Sequence, residues 1–320
     1  MDLPLWVWFA FISFVLGMLA LDLGVFHRKA HTVSVKEAAI WSSVWVALSL
    51  AFAALVYTWQ GPDKGLEFLT GYLIEKSLAV DNIFVFVLVF SFFATPPVYQ
   101  HRVLFWGVIG ALVMRGVMIF LGAALIEQFG WILYVFGGFL LLTGVRMLFQ
   151  RHDVEVDLNR NPAVRLARRM FRVSDDYDGQ RFFTVKNGVR MATPLFLVLI
   201  FIEFTDLVFA VDSIPAIFAI TTDPFIVFTS NVLAILGLRS MYFLLAGVVH
   251  RFVYLKTGLS IILVFIGVKM LLLDVFKIPT AVSLGVVTGI LALSIGLSLF
   301  RSRRGALLLP TGRSERHGTD

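Results

Sequence analysis

The sequence predicts an all-α protein, a polytopic transmembrane helical bundle of about nine spans. Three observations predict it. The first is composition: 59% of the 320 residues are hydrophobic and only 15% are charged, with a mean hydropathy of +0.88. Soluble domains average about 25% charged and about 45–50% apolar residues. The second is run length. The apolar residues fall in continuous stretches of about 20, the length that crosses a hydrocarbon core, and not in the ~10-residue alternations of a β-barrel. The third is the placement of the basic residues between those stretches, which is strongly one-sided. Together they exclude a soluble enzyme and a disordered chain. With no cysteine, they also exclude a disulfide-stapled secreted domain.

The nine runs lie at roughly 5–26, 38–59, 66–93, 103–125, 130–149, 193–219, 226–249, 257–273 and 280–300. Most connections are short. The exception, 150–192, is strongly polar and carries Asn161-Pro162, Arg168-Arg169 and Asp175-Asp176. With the N-terminus outside, the inner segments (27–37, 94–102, 150–192, 250–256 and 301–320) hold 20 Lys and Arg, and the outer ones hold only Lys64 and Lys277. Positive residues stay inside, so the N-terminus is expected outside and the C-terminus in the cytoplasm. The first run does not read as a cleaved signal peptide. Asp2 precedes it, no Lys or Arg does, no small-residue cleavage site follows it, and the basic cluster His27-Arg28-Lys29 comes after it. The basic excess behind the pI of about 9.7 is thus a topology signal and a contact for anionic lipid. It does not point to nucleic acid.

Two stretches of the chain repeat each other. Glu75-Lys-Ser-Leu-Ala-Val-Asp81-Asn82-Ile corresponds to Asp206-Leu-Val-Phe-Ala-Val-Asp212-Ser213-Ile, with Glu203 three residues ahead of Asp206. Downstream, Arg115 corresponds to Arg239, and Gly144-Val-Arg146-Met-Leu to Gly267-Val-Lys269-Met-Leu. The first unit begins with a span running inward and the second with one running outward. The repeats 66–149 and 193–273 are therefore expected to be three-helix units of opposite orientation, an architecture that many secondary transporters share. Residues 1–65 form an N-terminal two-helix addition, 150–192 a cytoplasmic loop, and 274–320 a last helix with a basic tail.

The acids inside these runs need a reason to be there. An Asp near a span centre costs about 2.5–3.5 kcal/mol on insertion scales, so such residues face protein, water or a bound cation. Internal salt bridging accounts for part of the charge, but Glu75, Asp81, Glu203, Asp206 and Asp212 outnumber the nearby bases Lys76, Arg115 and Arg239. Glu203 and Asp206 share a helix face. Asp206 and Asp212 are about 240° apart on a regular helix. Either that helix breaks, or the two acids act in different places. Pro215 leaves the carbonyl of Val211 without its helical donor, either as an ordinary kink or as a freed cation ligand. Asn82 and Ser213 add neutral oxygens.

This donor set is oxygen-only and suits Mg²⁺, Ca²⁺ or Mn²⁺ better than a soft metal. The histidines (His27, His31, His101, His152, His250 and His317) all lie in inner segments, at a span end or in the tail. Met114, Met118 and Met241 read as packing residues. Asp22 reads as a lesser site candidate or an interfacial charge beside Arg28, and Glu127 and Asp223 read as solvated turn residues before cation attractors at the mouth. Gly285-Val-Val-Thr-Gly289 is a weak sign of close helix packing.

Taken together, these residues resemble the TerC/Alx family of integral membrane proteins, within the lysine-exporter-type superfamily. The resemblance runs from the first span to the ninth and rests on the motifs around Glu75–Asn82 and Glu203–Pro215. Members of that family are linked to manganese export and, by name, to tellurite resistance. The resemblance implies a bacterial inner-membrane Mn²⁺ exporter whose metal-site acids are Glu75, Asp81, Glu203, Asp206 and Asp212. Asp81 and Asp212 are expected to flank the ion and the other three to complete the shell or carry protons. Mn²⁺ is then a transported ion and not a resident cofactor. The alternative is a tellurite-resistance-associated membrane scaffold or assembly factor without transport. No nucleotide-binding loop, HExxH or Gly-x-Gly-Asp motif is present, so ATP drive and intramembrane proteolysis are unsupported.

Overall fold

Each of the nine apolar runs is helical in the computed structural model, which describes residues 3–24, 33–149, 169, 171–186, 188–248 and 252–307. The described residues form ten helices: α1 (Leu5–Gly24), α2 (Val35–Gln60), α3 (Pro62–Phe92), α4 (Pro97–Gln128), α5 (Ile132–Phe149), α6 (Pro194–Phe218), α7 (Pro224–Leu236), α8 (Leu238–Leu245), α9 (Leu255–Leu271) and α10 (Thr280–Leu307). The cluster His27-Arg28-Lys29, with His31, His152, Asn161-Pro162, Arg168, His250, His317 and the Asp22 side chain, lies outside the described set.

The helix starts follow local chemistry. Ser34 caps α2 by accepting from the Glu37 amide at 3.2 Å. Proline opens α3, α4, α6 and α7, where its missing N–H costs nothing. The turn between α2 and α3 is a single residue, Gly61, at φ +101°, a conformation that favours glycine. Asp223 caps α7 by accepting from the amides of Phe225 and Ile226. It also pairs with Lys64 at 3.3 Å, so it is a structural residue and more than a solvated turn.

Five helices are long and apolar enough to cross a membrane (α2, α4, α5, α6 and α10), and a sixth span results if α7 and α8 count as one. The protein is thus an integral, multi-pass helical bundle. α3 is long enough, with 31 residues, but carries six charges. α9 has 17 residues.

The seventh apolar run is not one helix. It breaks at Gly237, and α8 departs from α7 by 40°. A side chain inserted into the backbone ladder is an established cause of such a kink. Here Lys76 of α3 donates to the Ala234 carbonyl at 3.3 Å, and its Nζ lies 2.7 Å from where a Cβ on Gly237 would stand. A second difference lies in the predicted cytoplasmic loop. Residues Phe183–Lys186 (β1) and Val189–Ala192 (β2) form an antiparallel hairpin. The segment just ahead of it is tied to the α3–α4 corner by Tyr177, whose hydroxyl donates to the Phe93 carbonyl at 2.7 Å.

Contacts fix the helix directions. Asn82 meets Asp206 and Gly71 faces Ile217, so α3 and α6 cross antiparallel. α5 and α9 form the most extensive helix pair. They are also antiparallel: Gly137 lies against Met270 and Gly267, and Gly144 against Ser260 and Val264. Gly285 and Gly289, the GxxxG of α10, meet nothing within 4 Å. Close packing uses Gly137, Gly144 and Gly267 instead. Three apolar clusters surround the α3–α6 crossing, and the polar residues lie between them.

Candidate functional site

Glu75 of α3 and Asp206 of α6 meet on one guanidinium, that of Arg115 from α4. Arg115 holds Asp206 with two hydrogen bonds, Nε to Oδ2 at 3.0 Å and Nη2 to Oδ1 at 2.9 Å. Its Nη1 pairs with Glu75 and donates to Ser213 Oγ at 3.1 Å. Two amides complete the ring. Asn82 Nδ2 donates to Asp206 at 3.4 Å, and Asn231 Nδ2 to Glu75 at 3.2 Å. All six side chains are buried. A bidentate, charge-assisted pair of this kind is strong and directional, and two acids share one base.

Asp81 and Asp212 lie elsewhere. α6 runs unbroken from Pro194 to Phe218 through Pro215, so Asp206 and Asp212 diverge as a regular helix requires. Asp212 and Asp81 line one cavity of about 830 Å³ between α3, α5, α6 and α9, together with Thr143, Arg146 and Lys256. The rest of the wall is apolar, and includes the exposed Phe84, Val208 and Val211. The cavity extends to Phe252 and Val253, on the connection between α8 and α9.

The remaining sequence candidates are spread out. Glu203 faces the α4 backbone at Gly110, where any Cβ would collide with its carboxylate. Its Oε2 is buried without a hydrogen-bond partner. Lys76 faces the end of α7. Arg239 is buried beside His101 Nε2 at 3.2 Å, and with Asp206 it lines a small cavity near Gly107 and Ala111. Among the described residues, no three His, Cys, Asp or Glu side chains are grouped to hold a metal ion. Four of the five acids come in twos, and Glu203 is the fifth.

Sequence reasoning missed Asn231 and Gly110. Asn231 had a signal, because Thr229-Ser230-Asn231 is a polar run inside an apolar span. Gly110 had none, since a glycine shows its use only when its neighbour is known.

Residues 60–306 match the model of the integral membrane protein TerC family. The chain belongs to the TerC family. Among its relatives is "Uncharacterized membrane protein STKORF319" of Myxococcus xanthus. That protein is 58% identical over 297 residues, 93% of this chain and 93% of the relative. A protein of Escherichia coli K12 named "Putative membrane-bound redox modulator Alx" is 56% identical over 297 residues, 90% of this chain and 92% of its own. An uncharacterized membrane protein of Rickettsia bellii is 42% identical over 294 residues, 92% of this chain and 97% of its own. No solved structure matches the chain.

Proposed function

We propose that this TerC-family protein exports a divalent cation, Mn²⁺ above others, across the bacterial inner membrane by alternating access. The observation that carries the reading is the meeting of the two acidic motifs where α3 and α6 cross. One acid from each motif, Glu75 and Asp206, shares Arg115. One acid from each, Asp81 and Asp212, lines a common cavity. On this reading Asp81 and Asp212 receive the ion, and Arg115 holds Glu75 and Asp206 while no ion lies between them. Glu203, with its unpartnered oxygen, is a proton carrier or a further ligand. Protons or Na⁺ supply the counterflow.

The reading takes the chain as nine spans, with the N-terminus outside and the C-terminus in the cytoplasm. The cavity's approach to the α8–α9 connection then opens it inward. It also takes 66–149 and 193–273 as inverted repeats, and helix contacts support this. Gly144 corresponds to Gly267 and, at the same offset, Gly137 to Ser260. The contact of Gly144 with Ser260 therefore has a mate, Gly267 with Gly137, and both occur. Gly144 with Val264 and Gly267 with Leu141 are a second mated pair. Both equivalent glycines, Gly144 and Gly267, pack against the backbone of the facing helix, as inverted units related by a twofold axis would. The printed name of several relatives speaks of redox modulation. This sequence has no cysteine, so thiol exchange is not open to its own side chains.

The test is transport. Everted membrane vesicles containing the protein should accumulate Mn²⁺ when a pH or Na⁺ gradient is imposed, and Asp81→Asn should abolish this while the protein remains in the membrane. Undiminished Mn²⁺ accumulation by the Asp81→Asn vesicles would overturn the proposal. A scaffold without transport would give no Mn²⁺ accumulation above empty vesicles.

A further inference from the structure

We propose that Asn231 is a ligand of the transported cation. Its side-chain oxygen joins those of Glu75, Asp206, Asn82 and Ser213 once Arg115 withdraws. The inference rests on the transport reading above and extends it to a residue outside both acidic motifs.

The first argument is ligand number. A hard divalent cation takes six or more oxygens, Mn²⁺ in octahedral fashion. Among the described residues the carboxylates never gather in threes. A shell built here draws on neutral donors.

The second argument is an anomaly of hydrogen bonding. Asn231 has no exposed surface. Its Nδ2 donates to Glu75, which turns its Oδ1 away from that acid, and the Oδ1 has no partner. Asn82 repeats the pattern on the other acid: its Nδ2 donates to Asp206, and its Oδ1 is also buried and unpartnered. An amide acceptor buried without a partner costs about 1–3 kcal/mol. Orienting two carboxylates requires only the N–H ends. The oxygen ends are accounted for by a positive guest.

The third argument is charge. As ligands of a bound cation, Glu75 and Asp206 supply two carboxylates, which match the charge of a divalent ion. A third carboxylate at 231 would leave the cluster strongly negative whenever Arg115 is its only counter-charge. An amide raises the number of ligands without raising the charge. Asn231 also belongs to α7, so the shell would join α3 and α6 to the helix that breaks at Gly237.

The experiment measures Mn²⁺ binding to the purified full chain by loss of the free-Mn²⁺ paramagnetic resonance signal, alongside thermal unfolding with and without Mn²⁺. Three variants are compared with wild type: Asn231→Leu, Asn231→Asp and Glu75→Gln. Asn231→Leu should weaken Mn²⁺ binding by tenfold or more. Asn231→Asp should unfold at a lower temperature than wild type without Mn²⁺ and show a larger upward shift on adding it. If Asn231 only orients Glu75, Asn231→Leu binds Mn²⁺ as tightly as wild type while Glu75→Gln does not, and Asn231→Asp gains no extra shift. Either result overturns the inference and leaves the transport reading standing. Should Asn231→Leu fail to fold, the shift in Asn231→Asp decides. Wild type failing to bind Mn²⁺ would overturn the transport reading itself, and the inference with it.

Discussion

Arg115 joins the two acidic motifs in the core. It is buried with two carboxylates on one guanidinium. Removing one partner of a buried ion pair costs about 3–5 kcal/mol, because the other charge is left uncompensated. Arg115→Leu should therefore lower the unfolding temperature sharply in detergent. The triple variant that adds Glu75→Gln and Asp206→Asn should recover most of the loss, and a thermal melt of all three proteins checks both expectations. If a divalent cation can take the place of the guanidinium, millimolar Mn²⁺ should also raise the melting temperature of Arg115→Leu more than that of wild type. At this scale the acids were legible in the sequence, since a charge inside an apolar run stands out. Their sorting was not. Nothing in the spacing of Glu75 and Asp81 says that one meets an arginine and the other a cavity, because that depends on what α4, α5 and α9 bring across. Asn231 was harder still, since a neutral polar residue in a membrane helix has many ordinary uses.

Among the helices, the α5–α9 pair makes the sharpest demand on sequence. A Cβ on Gly144 would lie 2.9 Å from the Ser260 carbonyl oxygen, and one on Gly267 would lie 2.7 Å from the Leu141 amide nitrogen. Both obstacles are backbone and cannot swing aside. Overpacking of this kind costs about 1–3 kcal/mol. Gly144→Val and Gly267→Val should each destabilise the protein by that much. Gly285→Val should leave the melting temperature within about a degree of wild type, because its site is open. The run lengths made the helices readable, and the prolines and Ser34 marked their starts. The break at Gly237 was not legible, because a single glycine in an apolar run is ordinary and the side chain at the break is Lys76, some 160 positions earlier. The β-hairpin was hidden for a similar reason: four-residue strands in a polar loop have no period long enough to read.

For the whole molecule the sequence offers orientation and symmetry. The Lys and Arg count makes a direct prediction. A phosphatase that works only outside the cytoplasmic membrane should be active when fused after residue 61, 130 or 277, and inactive when fused after residue 95 or 301. Equal activity on both sets would remove the topology on which the inverted repeat depends. The mated contacts of α5 and α9 give a second check, since the chain has no cysteine of its own. Cysteine pairs placed at 144 and 260, and separately at 137 and 267, should crosslink with matching efficiency under mild oxidant.

The bend at Gly237 also has a mechanical consequence. α8 has eight residues, so at 1.5 Å per residue it is a rod about 12 Å long. Straightening a 40° bend at its root would swing its far tip sideways by about 8 Å, while Arg239, near the pivot, would move by only about 2 Å. Straightened, the short arm would act as a lever whose still end is Arg239 and whose travelling end is Leu245, turning a shift of a couple of ångströms near the pivot into one about four times as large at the tip.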